Sequence, residues 1–354
     1  MSGKQGKDGR HTPSEREPLA SHLRLSIHPT YARLVSAELR RRGISDEEIL
    51  EGTRLTREQL IEDNRFLSFE QFRRLAQRAM ELTGEGWLGL DVGRSTQISA
   101  HGPLGYAMVA SRDVGQVLDM VQRYSSLRVE IAKFEVVKRG ARVHLVVEET
   151  LPWDDISEYL VSHILGTICL VLETVSGAPL PDTRLAFKHE APPWAAEYGP
   201  LLPGIEVAFG APVCVLDLPA AFLSTRCITA DQATFEQAIR MCERTEAQRD
   251  NGCDLAQRVL DHLLDRDGDY PSLTEMASDL AMSNRTFIRK LKAQGTSYQM
   301  LLDDVRQELA IWYLRQSDLS VERIAERLGY SDTSNFSRTC KRWFGLTPRE
   351  IRQG

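Results

Sequence analysis

The sequence of 354 residues predicts an α+β domain followed by an all-α domain in which one helical device occurs twice. Three observations predict it. Period-two alternation in "RVEIAKFEVVKRGARVHLVVEE", from Arg128, sets strands among amphipathic helices in the first part. Strand signals vanish from Asp254 onward, and helices come in quick succession. Two stretches of that second part, starting at Leu273 and Val321, share one plan. The length alone argues for more than one core. Hydrophobic content of 42% and charged content of 27% are those of a soluble globular chain.

Each element has a local reason. "MSGKQGKDGRHTPSEREPL" is polar with no apolar stretch, so Met1 to Ala20 reads as a disordered tail without an export signal. "YARLVSAELRRRG" (31–43) has helical spacing and a glycine stop. "SFEQFRRLAQRAMELTG" (68–84) begins with Ser68 and Gln71 in capping-box spacing. "DVGQVLDMVQRYSSL" (113–127) is a third helix. The alternating stretch follows, through Val129, Ile131, Phe134 and Val136, a turn at Arg139-Gly140, and Val143, Leu145 and Val147. "YLVSHILGTICLVLETVSG" (159–177) is the most apolar segment. A membrane span needs about 20 mainly apolar residues. Ser162, His163, Thr167 and Glu173 interrupt this one, which reads as a buried core helix. Short strand signals lie near Leu185–Phe187 and Val213–Leu216. "TADQATFEQAIRMCERTEAQRDNG" (229–252) is a polar connecting helix. Phe235, Ile239 and Cys242 line one side of it, for packing on the first domain or for a short dimer seam. The expected division is 1–20 tail, 21–228 sensing and dimerising domain, 229–253 linker helix and 254–354 helical domain.

In the helical domain, "LTEMASDLAMSNRTFIRKLKAQG" and "VERIAERLGYSDTSNFSRTCKRWFG" each hold a short helix with a central alanine (Ala277, Ala325) and then a leucine (Leu280, Leu328). A turn, a polar helix start, an aromatic (Phe287, Phe336) and an arginine two residues on (Arg289, Arg338) follow. Small alanines allow close crossing, and a sharp turn makes a helix-turn-helix, at about 273–294 and 321–344. On the first second-helix, Arg285, Arg289 and Lys292 fall at i, i+4 and i+7, beside a stripe of Phe287, Ile288 and Leu291. From Ala281 to Gly354 there are 13 lysines and arginines against 8 acidic residues, net +5. The remainder carries 31 and 42, net −11. A basic end on an acidic body points to a polyanion partner. Polar helix starts suit base edges, and cations toward the helix end suit phosphates. The linking helix, Ser297 to Arg315, spans about 28 Å and successive major-groove faces lie about 34 Å apart. Two reading helices on one chain therefore suit adjacent turns of one duplex face.

This region resembles the AraC/XylS family of bacterial transcription regulators, on "MASDLAMSNRTFIRKLKAQGTSYQMLLDDVRQELAIWYL" and "SVERIAERLGYSDTSNFSRTCKRWFGLTPREIR". The resemblance implies seven helices forming two helix-turn-helix units. It implies base reading by Arg285, Ile288 and Arg289 in the first and by Thr333, Ser334, Ser337 and Arg338 in the second. Asn284, Thr286 and Asn335 assist, and Lys292, Lys341, Arg342 and Arg349 hold the DNA backbone. Phe287, Leu291, Ala325, Leu328, Phe336 and Trp343 belong to the core. Cys340 stands where the family usually has phenylalanine, and Thr339 where alanine is common. Cys340 reads as a small buried hydrophobe.

The first domain resembles the arabinose-binding-like domain of the branch that includes ornithine-utilisation regulators, on "ELTGEGWLGLDVG", "HGPLGYAMVASRDVGQVLDMVQRYSSL" and "VAFGAPVCVLDLPAAFLSTRCITAD". This implies an effector-sensing, dimerising domain without implying arabinose. Arg123, Tyr124 and Arg128 are the candidate effector residues, since arginines clamp carboxylates, and a surface salt-bridge cluster is the plainer alternative. His163 reads as a hydrogen-bonded core histidine. No phosphate loop, GxSxG or HExxH is present, so no catalytic residues are expected. The six cysteines form no CxxC, so no metal or cofactor is expected. The expected protein is a cytoplasmic, homodimeric, sequence-specific regulator of double-stranded promoter DNA. It is an activator that meets RNA polymerase, is controlled by a small-molecule effector, and has no membrane partner. An enzyme fused to a DNA-binding module, or a constitutive regulator with no ligand, are the alternatives.

Overall fold

The computed structural model describes residues 25–353 apart from 54, 58–59, 61–65, 252–254, 267 and 295. The expected tail, Met1 to Ala20, lies outside them. The chain divides into two units, one ending at residue 253 and the other beginning at 254.

In the first unit, β1 (Leu25–Ile27) pairs with β2 (Leu67–Ser68). Helix α1 (Pro29–Arg41) starts on a proline, whose missing N–H costs nothing in a first turn. The imidazole of His28 accepts from the Thr30 N–H at 3.2 Å. After α2 (Asp46–Leu50), helix α3 (Phe69–Thr83) carries both bonds of the Ser68–Gln71 capping box and stops at Gly84, φ +68°. Helices α4 (Leu88–Ser95), α5 (Pro103–Ala110) and α6 (Val114–Tyr124) follow, the last capped by Asp113.

Strands β3 (Ala132–Arg139) and β4 (Arg142–Glu149) form the expected antiparallel hairpin, paired from Ala132↔Glu149 to Arg139↔Arg142. Its first strand starts later than the apolar pattern does. Positions 129 and 131 are one residue out of phase with 134 and 136, and a one-residue change of phase turns side chains to the other face. The strand begins where the second phase begins, with Ala132 and Phe134 buried. With β5 (Thr183–Ala186), β6 (Ile205–Ala208) and β7 (Cys214–Pro219) the sheet order is β3-β4-β7-β5-β6, parallel at β5/β6 alone among its described pairs.

Helix α7 (Ser157–Ser176) is the apolar segment. By length and composition it is the one described helix able to cross a membrane, but most of it is buried inside the fold. Full burial of each Leu, Ile or Val contributes roughly 1.5–3 kcal/mol. Helix α4 crosses it at glycines. A Cβ at Gly89 or Gly93 would collide with the carbonyls of Tyr159 and His163, so those glycines fix where His163 sits. After the short helix α8 (Tyr198–Leu201), helix α9 (Gln232–Asn251) packs on α5, with Ala238 and Cys242 buried and Phe235 and Ile239 half-buried against the same core.

The second unit holds seven described helices: α10 (Leu255–Leu264), α11 (Leu273–Asp279), α12 (Asn284–Ala293), α13 (Tyr298–Gln316), α14 (Val321–Arg327), α15 (Thr333–Phe344) and α16 (Pro348–Gln353). Ser272 caps α11 in a capping box with Glu275, and Ser320 caps α14. The turns match as well. Met282 N–H donates to the Ala277 carbonyl, as Tyr330 N–H does to Ala325, each 2.8–2.9 Å. Left-handed backbone falls at Ala281 (φ +54°) and Gly329 (φ +72°). Alanine rarely adopts that conformation, so the first turn is the more strained.

Candidate nucleic-acid interface and effector cavity

The two halves correspond in register up to the turn, Ser272 with Ser320 and Ala281 with Gly329. The second turn then has one extra residue before its cap, Asp332 in place of Ser283. Past that insertion Phe287 matches Phe336, and Leu291 matches Cys340. All four are buried, as are Ala325 and Leu328, while Trp343 is half-buried with its ring edge-on to Tyr330. Anchored this way, α12 turns Arg285, Ile288, Arg289 and Lys292 outward at i, i+3, i+4 and i+7. Helix α15 does the same with Ser334, Ser337, Arg338 and Lys341. All are exposed except the half-buried Ser337. Thr333 is half-buried at the start of α15 and Asn335 exposed beside it. Asn284 is turned back, donating to Thr274 Oγ1 at 2.9 Å, and Thr286 receives the Ser283 hydroxyl at 3.0 Å. Ile288 keeps 49% of its surface exposed, which is unusual for a large aliphatic and suits a methyl-bearing base edge.

Most cations of these helices have no partner within the fold. Among the described residues the side chains of Arg285, Arg289, Lys292, Arg338 and Arg342 form no ion pair or hydrogen bond. Two others have carboxylates nearby. Glu350 lies below its usual range, chiefly through hydrogen bonds with Thr347 and in part through Lys341. Glu322 does so chiefly through backbone and Ser320 hydrogen bonds and in part through Arg349.

A stacked bracket joins the halves. The Arg306 guanidinium of α13 lies 5.2 Å from the Tyr270 ring centroid and 5.1 Å from that of Tyr330. Tyr270 precedes the first device and Tyr330 lies in the turn of the second. A Cβ on Gly329 would come within 2.8 Å of the Gly268 carbonyl, so the two segments touch backbone to backbone. This sets the orientation of α12 against α15.

In the first unit the three effector candidates separate. Arg123 is exposed, over the Tyr124 ring at 4.8 Å and 4.0 Å from Glu243 of α9. Tyr124 is buried, and burial above all raises its pKa. Arg128 lines a cavity of about 90 Å³ between α1, α5, α6, α7 and the start of the hairpin. Tyr31, His101, Ser125, His163 and Thr167 are its other polar lining residues, and the rest are aliphatic or phenylalanine. Tyr31 Oη lies 2.9 Å from His101 Nδ1. His101 Nε2, His163 Nδ1 and Arg128 Nε are buried without hydrogen-bond partners. His163 is a core residue that lines the cavity, as expected, but the expected hydrogen bond is not formed: its buried Nδ1 has no partner, and Tyr31 and Tyr159 pack against its ring. Burial pulls His163 down to about 4, and burial with the charge of Arg128 and the neighbouring His163 pulls His101 to about 4, so both rings are neutral near pH 7. Burial, with a smaller contribution from Arg33, also works against the charge of Arg128 and leaves its pKa lowered. A second cavity of about 160 Å³ shares His101 and Arg128 and is bounded by His28, Phe66 and Thr245 of α9.

Sequence reading missed Tyr31, His101 and His163 as a group. The signal present was weak: three polar residues within apolar stretches, far apart in the chain. Cys340 is fully buried, and burial pushes its thiol up to about 12, which is the behaviour of a packing residue. Among the described residues no group of three or more His, Cys, Asp or Glu is placed to hold a metal ion.

The chain is similar to known proteins over most of its length. The family described as the arabinose-binding domain of AraC transcription regulators, N-terminal, matches residues 43–227, and a helix-turn-helix domain family matches 276–354. The ornithine utilization regulator of Pseudomonas aeruginosa is 33% identical over 88% of this chain and 91% of its own. The HTH-type transcriptional regulator VqsM of the same species is 30% identical over 75% and 83%. The crystal structure of the transcriptional regulator CdpR from Pseudomonas aeruginosa aligns at 24% identity over 91% of this chain and 97% of that one, with a TM-score of 0.46.

Proposed function

Because the chain belongs to the AraC family of transcription regulators, with the arabinose-binding type of N-terminal domain, we propose how its residues carry out effector-controlled DNA binding. Helices α12 and α15 enter adjacent major grooves on one face of a promoter duplex. Arg285, Ile288 and Arg289 read bases in one groove, and Thr333, Ser334, Ser337 and Arg338 in the next. Asn284, Thr286 and Asn335 hold the helix starts. Lys292, Lys341, Arg342 and Arg349 contact phosphates. The observation that carries this reading is the pair of equivalent outward stripes whose arginines have no carboxylate partner. Guanidiniums left free by the fold suit the bidentate acceptors of guanine.

The division of labour is 21–228 for sensing, 229–253 for connection and 254–354 for DNA. The effector occupies the cavity at Arg128, and its binding favours one state of the sensing domain. Helix α9, which sets Ala238 and Cys242 into that domain's core, carries the change onward. The regulator acts as a homodimer in the cytoplasm and activates transcription with RNA polymerase. Exposed Tyr106 on α5 and Met241 on α9, helices that pack together, supply apolar surface for pairing. Fluorescence anisotropy of the full chain on its own upstream promoter DNA, titrated with salt, tests the DNA reading. Affinity should fall steeply as salt rises. Arg338→Ala should cost about 1–3 kcal/mol of binding and relax base preference at one position. A flat salt response would contradict it.

A further inference from the structure

The chemistry of the sensing cavity specifies its ligand more narrowly than "small molecule". We propose that the effector is an amphipathic monocarboxylate, its carboxylate held by Arg128 and His101 and its alkyl chain among the apolar side chains of α6 and α7. This rests on the reading of the cavity as the effector site.

Charge comes first. Arg128 donates to Thr30 Oγ1 at 3.1 Å and to the Ala100 carbonyl, but no carboxylate pairs with it among the described residues, and its Nε is buried without a partner. A partly buried cation with no counter-ion is costly until an anion arrives. His101 offers a second donor beside it, Nε2 in one tautomer, also without a partner. A guanidinium with an adjacent N–H is what a carboxylate requires.

The lining also excludes the rivals. Neither cavity has a lining aspartate or glutamate, so the ammonium of an amino acid or amine finds no counter-charge. A sugar has hydroxyls all round its ring, and those turned away from Ser125, His163 and Thr167 would be buried against Val117, Val121, Leu160, Ile168, Val171 and Leu172 without partners. An alkyl chain meets no such cost. A water-sized group needs about 10–15 Å³ of such space, so the inner cavity takes on the order of six to nine methylene-sized groups. The second cavity adjoins at Arg128 and His101 and reaches Thr245 of α9, which places the ligand's charged head in the wall nearest the connector.

The test is calorimetry and thermal shift on the full chain with acetate, butyrate, hexanoate and octanoate, against octanol, octylamine, arabinose and ornithine. Affinity should climb through the acids, with octanoate at least tenfold tighter than octanol or octylamine. Arg128→Gln should lose at least tenfold for octanoate, and Arg128→Lys should recover part of it. That pair separates loss of charge from loss of fold, and each variant's ligand-free melting point checks folding. No binding by any acid overturns the proposal. So does equal binding of octanol, or octanoate binding that survives Arg128→Gln or the cavity-filling Val171→Phe. If arabinose or ornithine binds instead and Val171→Phe abolishes it, the carboxylate class falls and the effector cavity stands. A promoter fusion whose output in cells ignores Val171→Phe removes the cavity itself as the effector site.

Discussion

Helices α1 and α12 carry similar runs of cations, and the fold treats them in opposite ways. On α1, Arg40 meets Asp46 at 2.5 Å and Arg41 meets Glu38 at 2.7 Å. Arg42 bridges Glu38, Glu85 and Asp91. On α12, Arg285, Arg289 and Lys292 meet no carboxylate among the described residues. Basic runs in a sequence therefore mean two things. The acidic partners decide which, and for Arg42 two of them come from more than 40 residues away. Cations that a fold does not neutralise stay available to an outside polyanion.

The comparison breaks most visibly by exchanging roles. Arg42→Met leaves Glu85 and Asp91 without the cation they share, and leaves Glu38, which is 6% exposed, to Arg41 alone. Burial opposes the charge of Arg42, but hydrogen bonds and fields from Glu85 and Glu38 outweigh it and raise its pKa. Its loss should cost about 3–5 kcal/mol of stability, read by denaturant unfolding, with little direct effect on DNA affinity. Arg289→Met should do the reverse, staying within about 0.5 kcal/mol in stability and losing about 1–3 kcal/mol of DNA binding. Equal stability losses in the two variants would erase the distinction.

A smaller effect comes from pH. His101 and His163 titrate at about 4 in the fold against 6.5 when free. Tyr31 and Arg128 face His101, and Tyr31 and Tyr159 flank His163. Below pH 6.5 the unfolded chain takes up protons that the folded chain refuses, so the stability present above that pH drains away as pH falls toward 4. Each ring accounts for on the order of 3 kcal/mol at most. Unfolding midpoints between pH 7 and 4 should shift less in His101→Asn. An identical slope in that variant would mean the ring is solvated. The smallest effect sharpens the surface side: Lys292→Ala should lower the salt slope of DNA binding by about one and weaken all sequences alike.

Much of this was legible in the sequence, for local reasons. Ser68 with Gln71 and Ser272 with Glu275 are capping boxes, and the structure forms both. The duplicated devices were readable because a helix-turn-helix is specified within about 20 residues. The rest depends on distance. Strands β1, β2 and β6 are two to four residues long and carry too little alternation to announce themselves. The cavity gathers Tyr31, His101, Arg128 and His163 from four segments, so only Arg128 was reached, by its chemistry alone. The Tyr270–Arg306–Tyr330 stack joins a loop, a helix and a turn, and no periodicity relates them.

Hydroxyl-radical footprinting of the full chain on its promoter tests the central claim most directly, since it asks whether α12 and α15 lie side by side on one duplex. The account predicts two protected patches on one face, about 10–10.5 base pairs apart, with Arg285→Ala weakening one and Arg338→Ala the other. A single patch, or two that both variants fade equally, would contradict it.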